Sequence, residues 1–346
     1  MPEDGVLLPR GLHWAGALLA PLYGAGVALH RAFARKKWAP ITTICVGNLT
    51  TGGTGKTPAV IYLARELVQL GRKPAILMRG YKAQGGDEAL EAGDALKGLD
   101  IPIILGADRF QSALQARAQN RDVILLDDGF QHWRLARDLD IVLIDASDPF
   151  GGGMGCGGAL IPQGRLRKPV SGLARAGVIL LTRSDASIDT TSLRETIRNL
   201  APNAAILTAR HAPAGVRALK SSAAHWSVSK LRGARVVAAC GIGNPKAFLK
   251  TLKACGAEIL ASRNFDDHHE YAQRDLDELS KLAESHGAGA VVVTEKDAVK
   301  LAALNLPERV ELLALKIEFN IDGANELWTR VAQALARGDK RLLEKN

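Results

Sequence analysis

Eight residues, Thr50-Thr51-Gly52-Gly53-Thr54-Gly55-Lys56-Thr57, have the types and spacing needed to hold a polyphosphate. Only small residues let consecutive backbone N–H groups close around phosphate oxygens, and a helix starting where the loop ends adds its positive dipole end. Lys56 would pair with the β- and γ-phosphates, and the Thr57 hydroxyl would ligate Mg²⁺. The general P-loop pattern opens on glycine, and Thr50 stands at that place. The bland alternative, a Gly-rich turn with an incidental lysine, does not explain why an apolar run precedes the loop and a helical pattern follows it.

A second signal is Val123-Ile124-Leu125-Leu126-Asp127-Asp128. Four apolar residues ending in an acid form the Walker B arrangement, a buried strand that delivers a carboxylate to the metal. Two other features point less far. Thr182-Arg183-Ser184-Asp185 faintly resembles a guanine-reading box, with Arg in place of its lysine. Asp266-Asp267-His268-His269 has the residue types of a metal cluster. Adjacent side chains on an extended segment point apart, however, so a catalytic or substrate-binding role suits it better.

The elements that must position these residues follow from periodicity. Apolar runs at Ile41–Val46, Ala75–Met78, Val123–Leu126, Ile141–Ile144 and Val178–Leu181 read as buried strands, with helices at Pro58–Leu70 and Phe110–Ala118 between them. Such alternation implies a mostly parallel sheet covered on both faces. Residues 213–234, with Pro213, Gly215 and several serines, read as a linker. A second set follows: strands at Val236–Ala239, Ala290–Val293 and Leu312–Ile317, and helices at Pro245–Ala254, Ala272–Ser285 and Asn325–Ala336. The expected class is α/β, a P-loop NTPase-like sheet with a second, smaller α/β domain. The expected divisions are an apolar N-terminal helical segment over 1–37, a P-loop domain over 38–212, the linker, and a C-terminal α/β domain over 235–346, with a cleft between the two domains.

The 346 residues carry 45 basic and 36 acidic side chains, a net charge of +9, which suits an acidic partner. Cys45, Cys156, Cys240 and Cys255 form no C-x-x-C pair, which argues against a zinc site and a disulfide framework. Gly11 to His30 contains no Asp, Glu, Lys or Arg, and Arg31, Arg35, Lys36 and Lys37 follow. Such a segment spans a bilayer, lies in one leaflet with its basic end on anionic headgroups, or is a buried core helix. No aromatic-and-basic nucleic-acid module is present in the sequence.

Val46-Gly47-Asn48-Leu49-Thr50 with Gly52 to Pro58 resembles the P-loop of the tetraacyldisaccharide 4'-kinases. The resemblance extends in order through Arg79-Gly80-Tyr81, Gly86-Asp87-Glu88, Asp127-Asp128-Gly129-Phe130-Gln131-His132, Leu160-Ile161-Pro162 with Gly164 to Arg167, Gly241-Ile242-Gly243-Asn244-Pro245, Asp267-His268 and Thr294-Glu295-Lys296-Asp297-Ala298-Val299-Lys300. It implies transfer of the ATP γ-phosphate to the 4'-hydroxyl of a tetraacylated glucosamine disaccharide 1-phosphate lipid, giving lipid IV-A. It also implies work at the cytoplasmic face of an inner membrane, without nucleic acid, and it implies no particular protein partner. By this resemblance ATP is held by Thr50, Thr51, Gly52, Gly53, Thr54, Gly55, Lys56 and Thr57 with Asp128 and Gln131; Mg²⁺ falls to Thr57 and Asp127; Asp87 is the general base and His268 its partner. Arg79, Arg165 and Arg167 are candidates for the substrate's 1-phosphate. Two departures stand out. Lys168 occupies a place where the family usually carries Glu, and the segment from Tyr81 to Asp87 is short, which makes Asp94 in Gly93-Asp94-Ala95 a rival base. A kinase for another membrane-embedded alcohol, or a P-loop switch that hydrolyses its nucleotide without a small acceptor, would share the same loop.

Overall fold

The computed structural model describes residues 26, 36–51, 54–80, 86–151, 158–184, 189–220, 225–267 and 269–344, with Asp87 and His211 described through their backbones. The apolar run at 11–30, residue 26 apart, lies outside the described residues, as do Gly52, Gly53 and His268. Among the described residues no helix is long and apolar enough to cross a membrane.

The chain forms two compact units. The first is built on parallel strands β1 (Thr42–Asn48), β2 (Pro74–Met78), β3 (Ile103–Leu105), β4 (Val123–Asp127), β5 (Leu139–Asp145), β6 (Val178–Thr182) and the start of β7 (Ala205–Ala218), in the order β7-β6-β5-β1-β4-β2-β3. Every residue of β1, β2, β4, β5 and β6 is buried. Continuous apolar runs of this kind fit a sheet covered on both faces, not one with a wet side. Strand β1 lies between β4 and β5, Val46 opposite both Asp127 and Ile141. The helix Lys56–Gln69 turns Ala59, Val60, Leu63, Ala64 and Leu67 to the core at helical spacing. It begins two residues before the expected start, and Pro58 in its first turn removes an N–H that has no helical acceptor.

The second unit holds 211–319 and also 87–95. Its strands β9 (Arg235–Cys240), β10 (Glu258–Asn264), β11 (Ala290–Thr294) and the first part of β12 (Glu311–Asp322) pair in parallel as β10-β9-β11-β12. Two apolar clusters fill the unit, one around Val236, Leu252 and Leu313 and the other around Leu276, Leu279, Val291 and Leu301.

Three expectations change here. Residues 213–234 are not a bare linker: β7 runs on to Ala218 and pairs antiparallel with the short β8 (His225–Trp226). The helix Gly86–Ala95 groups with the second unit from Asp87 onward, and Arg217 reaches Asp94 there at 4.0 Å. The C-terminal helix Ala324–Leu343 groups with the first unit. It is bound there by Arg341 on Asp138 and by the paired bonds of Arg72 to Asp339, both at 3.0 Å.

That helix meets β1 where Gly338 faces Thr42, and a Cβ at 338 would collide with the Thr42 hydroxyl. Overpacking of a close approach typically costs about 1–3 kcal/mol. Gly338→Val should lower unfolding free energy by that order in denaturant titration. Unchanged stability would mean that the helix does not dock this closely on β1.

Candidate functional site

The P-loop leaves β1 at Asn48 and is pinned along its first stretch. Thr50 bridges Leu166 antiparallel, Thr51 N donates to Arg165 O at 2.8 Å, and Arg167 N donates to Leu49 O at 2.8 Å. Thr50, in the place of the usual glycine, is buried, and its methyl faces Gly151, where a Cβ would come within 3.2 Å. The departure is thus absorbed by a glycine on the facing segment. On the far side of the loop the Thr182 hydroxyl lies 3.3 Å from Thr54 O. Gly55 takes φ 85°, a left-handed conformation that glycine adopts without strain, and caps the Lys56–Gln69 helix without any side-chain acceptor. The first N–H groups of the helix therefore have no side-chain cap, the arrangement that binds anions.

Strand β4 brings the two acids to the same place. The Thr57 hydroxyl donates to Asp127 Oδ2 at 3.4 Å, and both residues are buried. Asp128, at φ 50°, turns away from its neighbour and lies 3.8 Å from Lys56 Nζ and 2.7 Å from Arg167 Nη1. Burial pushes its carboxyl up, but the Lys56 and Arg167 charges outweigh that and hold it below the usual carboxylate range. Gln131 Nε2 donates to Asn48 O at 2.7 Å. The backbones approach closely here: a Cβ at Gly47 would meet Phe130 Cβ at 2.5 Å, and one at Gly129 would meet Leu126 Cβ at 2.8 Å. Asn48 Oδ1 and Nδ2, Thr54 Oγ1 and Gln131 Oε1 are buried and have no hydrogen-bond partner among the described residues. Buried polar atoms in such a state are uncommon and mark a place where a polar ligand belongs.

Of the three arginines expected for the substrate phosphate, two face the loop. Arg165 bonds Thr51 O at 2.7 Å and Asp148 at 3.0 Å, while Arg167 holds Asp128. Arg79 is exposed just beyond β2. Lys168 is buried, donates to Gln131 O at 2.9 Å and lies 3.8 Å from the Trp133 ring centroid. Arg183, from the box-like segment after β6, pairs with Asp145 at 2.5 Å.

In the second unit Asn244 Oδ1 accepts from Ala247 N at 3.1 Å and so caps the helix Pro245–Ala254. Asp297 is buried and accepts from Gly241 N at 3.1 Å and from the Thr294 hydroxyl at 2.6 Å. Asp267 pairs with Lys296 at 3.2 Å, and His269 with Asp275 at 3.1 Å. No group of three metal-ligating side chains occurs among the described residues. The Asp87 side chain and His268 lie outside them, and Asp94 has Arg217 as its partner.

A family profile described as tetraacyldisaccharide-1-P 4'-kinase matches residues 12–336. A tetraacyldisaccharide 4'-kinase of Halothermothrix orenii is 36% identical over 318 residues, covering 82% of this chain and 81% of that protein. One from Anaeromyxobacter sp. (strain Fw109-5) is 40% identical over 359 residues, covering 96% and 92%. The crystal structure of LpxK from Aquifex aeolicus in complex with ATP superposes with a TM-score of 0.72 at 24% identity, covering 94% of this chain and 99% of that one. That likeness shows the shared fold.

His132 closes the Asp127–His132 run, and its Nδ1 accepts from Leu135 N at 3.4 Å. Burial, reinforced by the Arg109 and Arg137 charges, pulls its imidazole down to about 4. In an unfolded chain histidine titrates near 6.5. Between these values the unfolded chain binds a proton that the native chain refuses. This contribution to stability is therefore complete above about pH 6.5 and is lost as pH falls toward about 4. His132→Gln should flatten the fall in Tm over that interval. Parallel Tm–pH curves for the two proteins would show that His132 is not held neutral.

Proposed function

The chain belongs to the tetraacyldisaccharide-1-P 4'-kinase family, and we propose that Lys56, Thr57, Asp127 and Asp128 organise its phosphoryl transfer. The protein is a kinase of lipid A biosynthesis, phosphorylating the 4'-hydroxyl of a tetraacyldisaccharide 1-phosphate. The phosphoryl donor in this reading is ATP. The observation that carries it is the Thr57–Asp127 contact of 3.4 Å at the head of a helix that starts from an uncapped, left-handed Gly55. The ATP-bound Aquifex aeolicus protein of the same fold lends support.

The residues at hand fit Mg²⁺. A hydroxyl and a carboxylate are hard oxygen donors, and those of Thr57 and Asp127 are adjacent and buried. When bound, Mg²⁺ neutralises charge on the β- and γ-phosphate oxygens. Lys56 then supplies the fixed charge on the phosphates, and Asp128, kept ionised between Lys56 and Arg167, aims the ammonium. Thr51 gives its N–H to Arg165 O, so the amide contribution to the phosphates falls to Thr50, Gly52, Gly53, Thr54 and Gly55, and Gln131 ties the acid loop to the end of β1. A sugar hydroxyl is a poor nucleophile at neutral pH, so a carboxylate must accept its proton. Asp87, oriented by His268, takes that role, and the two family motifs that carry these residues support it. Asp94 is left to its ion pair with Arg217. Arg79 remains the arginine for the 1-phosphate. The apolar segment 11–30 with Arg31, Arg35, Lys36 and Lys37 docks on the cytoplasmic face of an inner membrane, the acyl chains beside it.

Incubation with ATP, Mg²⁺ and the disaccharide 1-phosphate lipid should give a bis-phosphorylated lipid. Triphosphate hydrolysis with no phosphorylated lipid would point to a switch protein instead. Lys56→Ala should abolish turnover with the fold intact by circular dichroism, and retained activity would sink the P-loop assignment. Asp87→Ala should lower kcat by about 10²–10⁴-fold with little change in ATP affinity, while Asp94→Ala stays near wild type. If Asp87 and His268 act as a unit, the double variant is little worse than the poorer single. The opposite ranking of Asp87 and Asp94 would move the base to 94.

A further inference from the structure

Four consecutive carbonyls after Asp128 each accept a hydrogen bond from a cationic side chain. Arg137 donates to Gly129 O at 3.0 Å and His132 O at 2.5 Å, Arg175 donates to Phe130 O, and Lys168 donates to Gln131 O at 2.9 Å. The aromatic rings of the same loop face two of these cations. Lys168 Nζ lies 3.8 Å and the Arg175 guanidinium 4.2 Å from the Trp133 centroid, and Arg175 lies 3.7 Å from that of Phe130. Asp140 balances Arg137 at 3.1 Å and Arg175 at 3.5 Å.

The loop needs such restraint. Asp128 opens it at φ 50°, a conformation that costs a residue with a Cβ and persists only where its surroundings impose it. A buried ammonium is also costly, and it is kept only where charge-assisted bonds and a ring face replace its water. Lys168 is 5% exposed. Its carbonyl partner belongs to Gln131, whose side chain donates to Asn48 O, the last residue of β1 before the P-loop. The residue before it, Arg167, donates its backbone N–H to Leu49 O and its guanidinium to Asp128. Lys168 thus stands where two routes to the P-loop meet, one through Gln131 and one through its own chain neighbour.

We propose that Lys168 is a positioning residue for the phosphoryl donor: through the Gln131 carbonyl and the Trp133 face it keeps Gln131 and Asp128 in register with the P-loop. This rests on the reading of that loop as the nucleotide site. The seat is built for a cation, so a glutamate at 168 would set a carboxylate against the Gln131 carbonyl.

The test compares Lys168→Gln, Lys168→Arg, Lys168→Glu, Gln131→Ala, the Lys168→Gln/Gln131→Ala double variant and Lys56→Ala, with kcat, both KM values and Tm for each. Lys168→Gln should raise the KM for ATP about tenfold, the scale of one charge-assisted hydrogen bond, with kcat and the acceptor KM within about threefold. Lys168→Arg should restore the ATP KM to within about threefold, and Lys168→Glu should be worse than Lys168→Gln. The double variant should be no worse than the poorer single, since the Lys168–Gln131 O and Gln131 Nε2–Asn48 O bonds lie in series on one path to the P-loop. An unchanged ATP KM in Lys168→Gln, wild-type kinetics in Lys168→Glu, or losses that multiply in the double variant would overturn the proposal. Should Lys168→Gln not fold, Lys168→Arg decides: a tenfold rise in ATP KM at unchanged Tm overturns it, and a retained KM supports it. An active Lys56→Ala defeats the nucleotide-site reading itself; an inactive one beside a normal Lys168→Gln defeats only the role of Lys168.

Discussion

Val46 of β1 sits opposite Asp127 of β4, and the site is arranged around that register. A strand slip of one residue would turn every side chain of β4 to the other face and carry Asp127 away from Thr57. The register is fixed by burial on both faces, since Ile124, Leu125, Leu126, Ile44, Cys45 and Val46 are all fully enclosed. The glycines at 47 and 129 then allow the two strand ends to approach without Cβ atoms between them. Packing thus sets the hydroxyl–carboxylate distance, and the chemistry inherits its geometry from the core.

Charge around this frame is arranged by sign. Among the described residues four acids at or beyond the ends of β4 and β5 are partnered: Asp127 by Thr57, Asp128 by Lys56 and Arg167, Asp148 by Arg165, Asp145 by Arg183. Cations occupy the surrounding positions, consistent with a net charge of +9 on a protein whose substrates are phosphates. Because Lys56 and Arg167 lower the Asp128 carboxyl, this acid stays ionised and the ammonium beside it stays aimed. A neutral Asp128 would leave Lys56 with one anchor fewer.

What could be read from the sequence was mostly local. Lys56 and Thr57 were legible because the loop, its preceding strand and its following helix are contiguous in the chain. Asp127 was legible because its strand is short, continuous and apolar. Long-range pairings left no such pattern. Strand β7 contains Pro213 and Gly215, which read as breakers; Gly215 is instead required because Trp226 O would lie 2.8 Å from a Cβ there. The Gly86–Ala95 helix carries Gly86 and Gly93, residues of poor helix propensity, and its assignment to the second unit depends on contacts such as Arg217–Asp94. The orientation of Lys168 was beyond reach for the same reason: Trp133 and the Gln131 carbonyl lie more than thirty residues upstream.

The run Thr294–Lys300, one of the segments that carry the family resemblance, has a physical basis in the second unit. Thr294 caps the helix Glu295–Leu301 through its hydroxyl, which accepts from Asp297 N at 3.2 Å, and Asp297 answers by accepting from that hydroxyl and from Gly241 N. The ends of β9 and β11 are locked together by one buried carboxylate, whose charge adds to burial in pushing the Tyr271 hydroxyl up. The two lysines of the run then reach the segment that carries residue 268. Lys296 pairs with Asp267 at 3.2 Å, and Lys300 donates to His269 O at 2.9 Å. Both neighbours of residue 268 are therefore tied to one short helix whose first turn is fixed by Asp297. The charged side chains of this run are thus engaged with the neighbouring backbone segment and with one another, which accounts for their density without any of them having to face solvent singly.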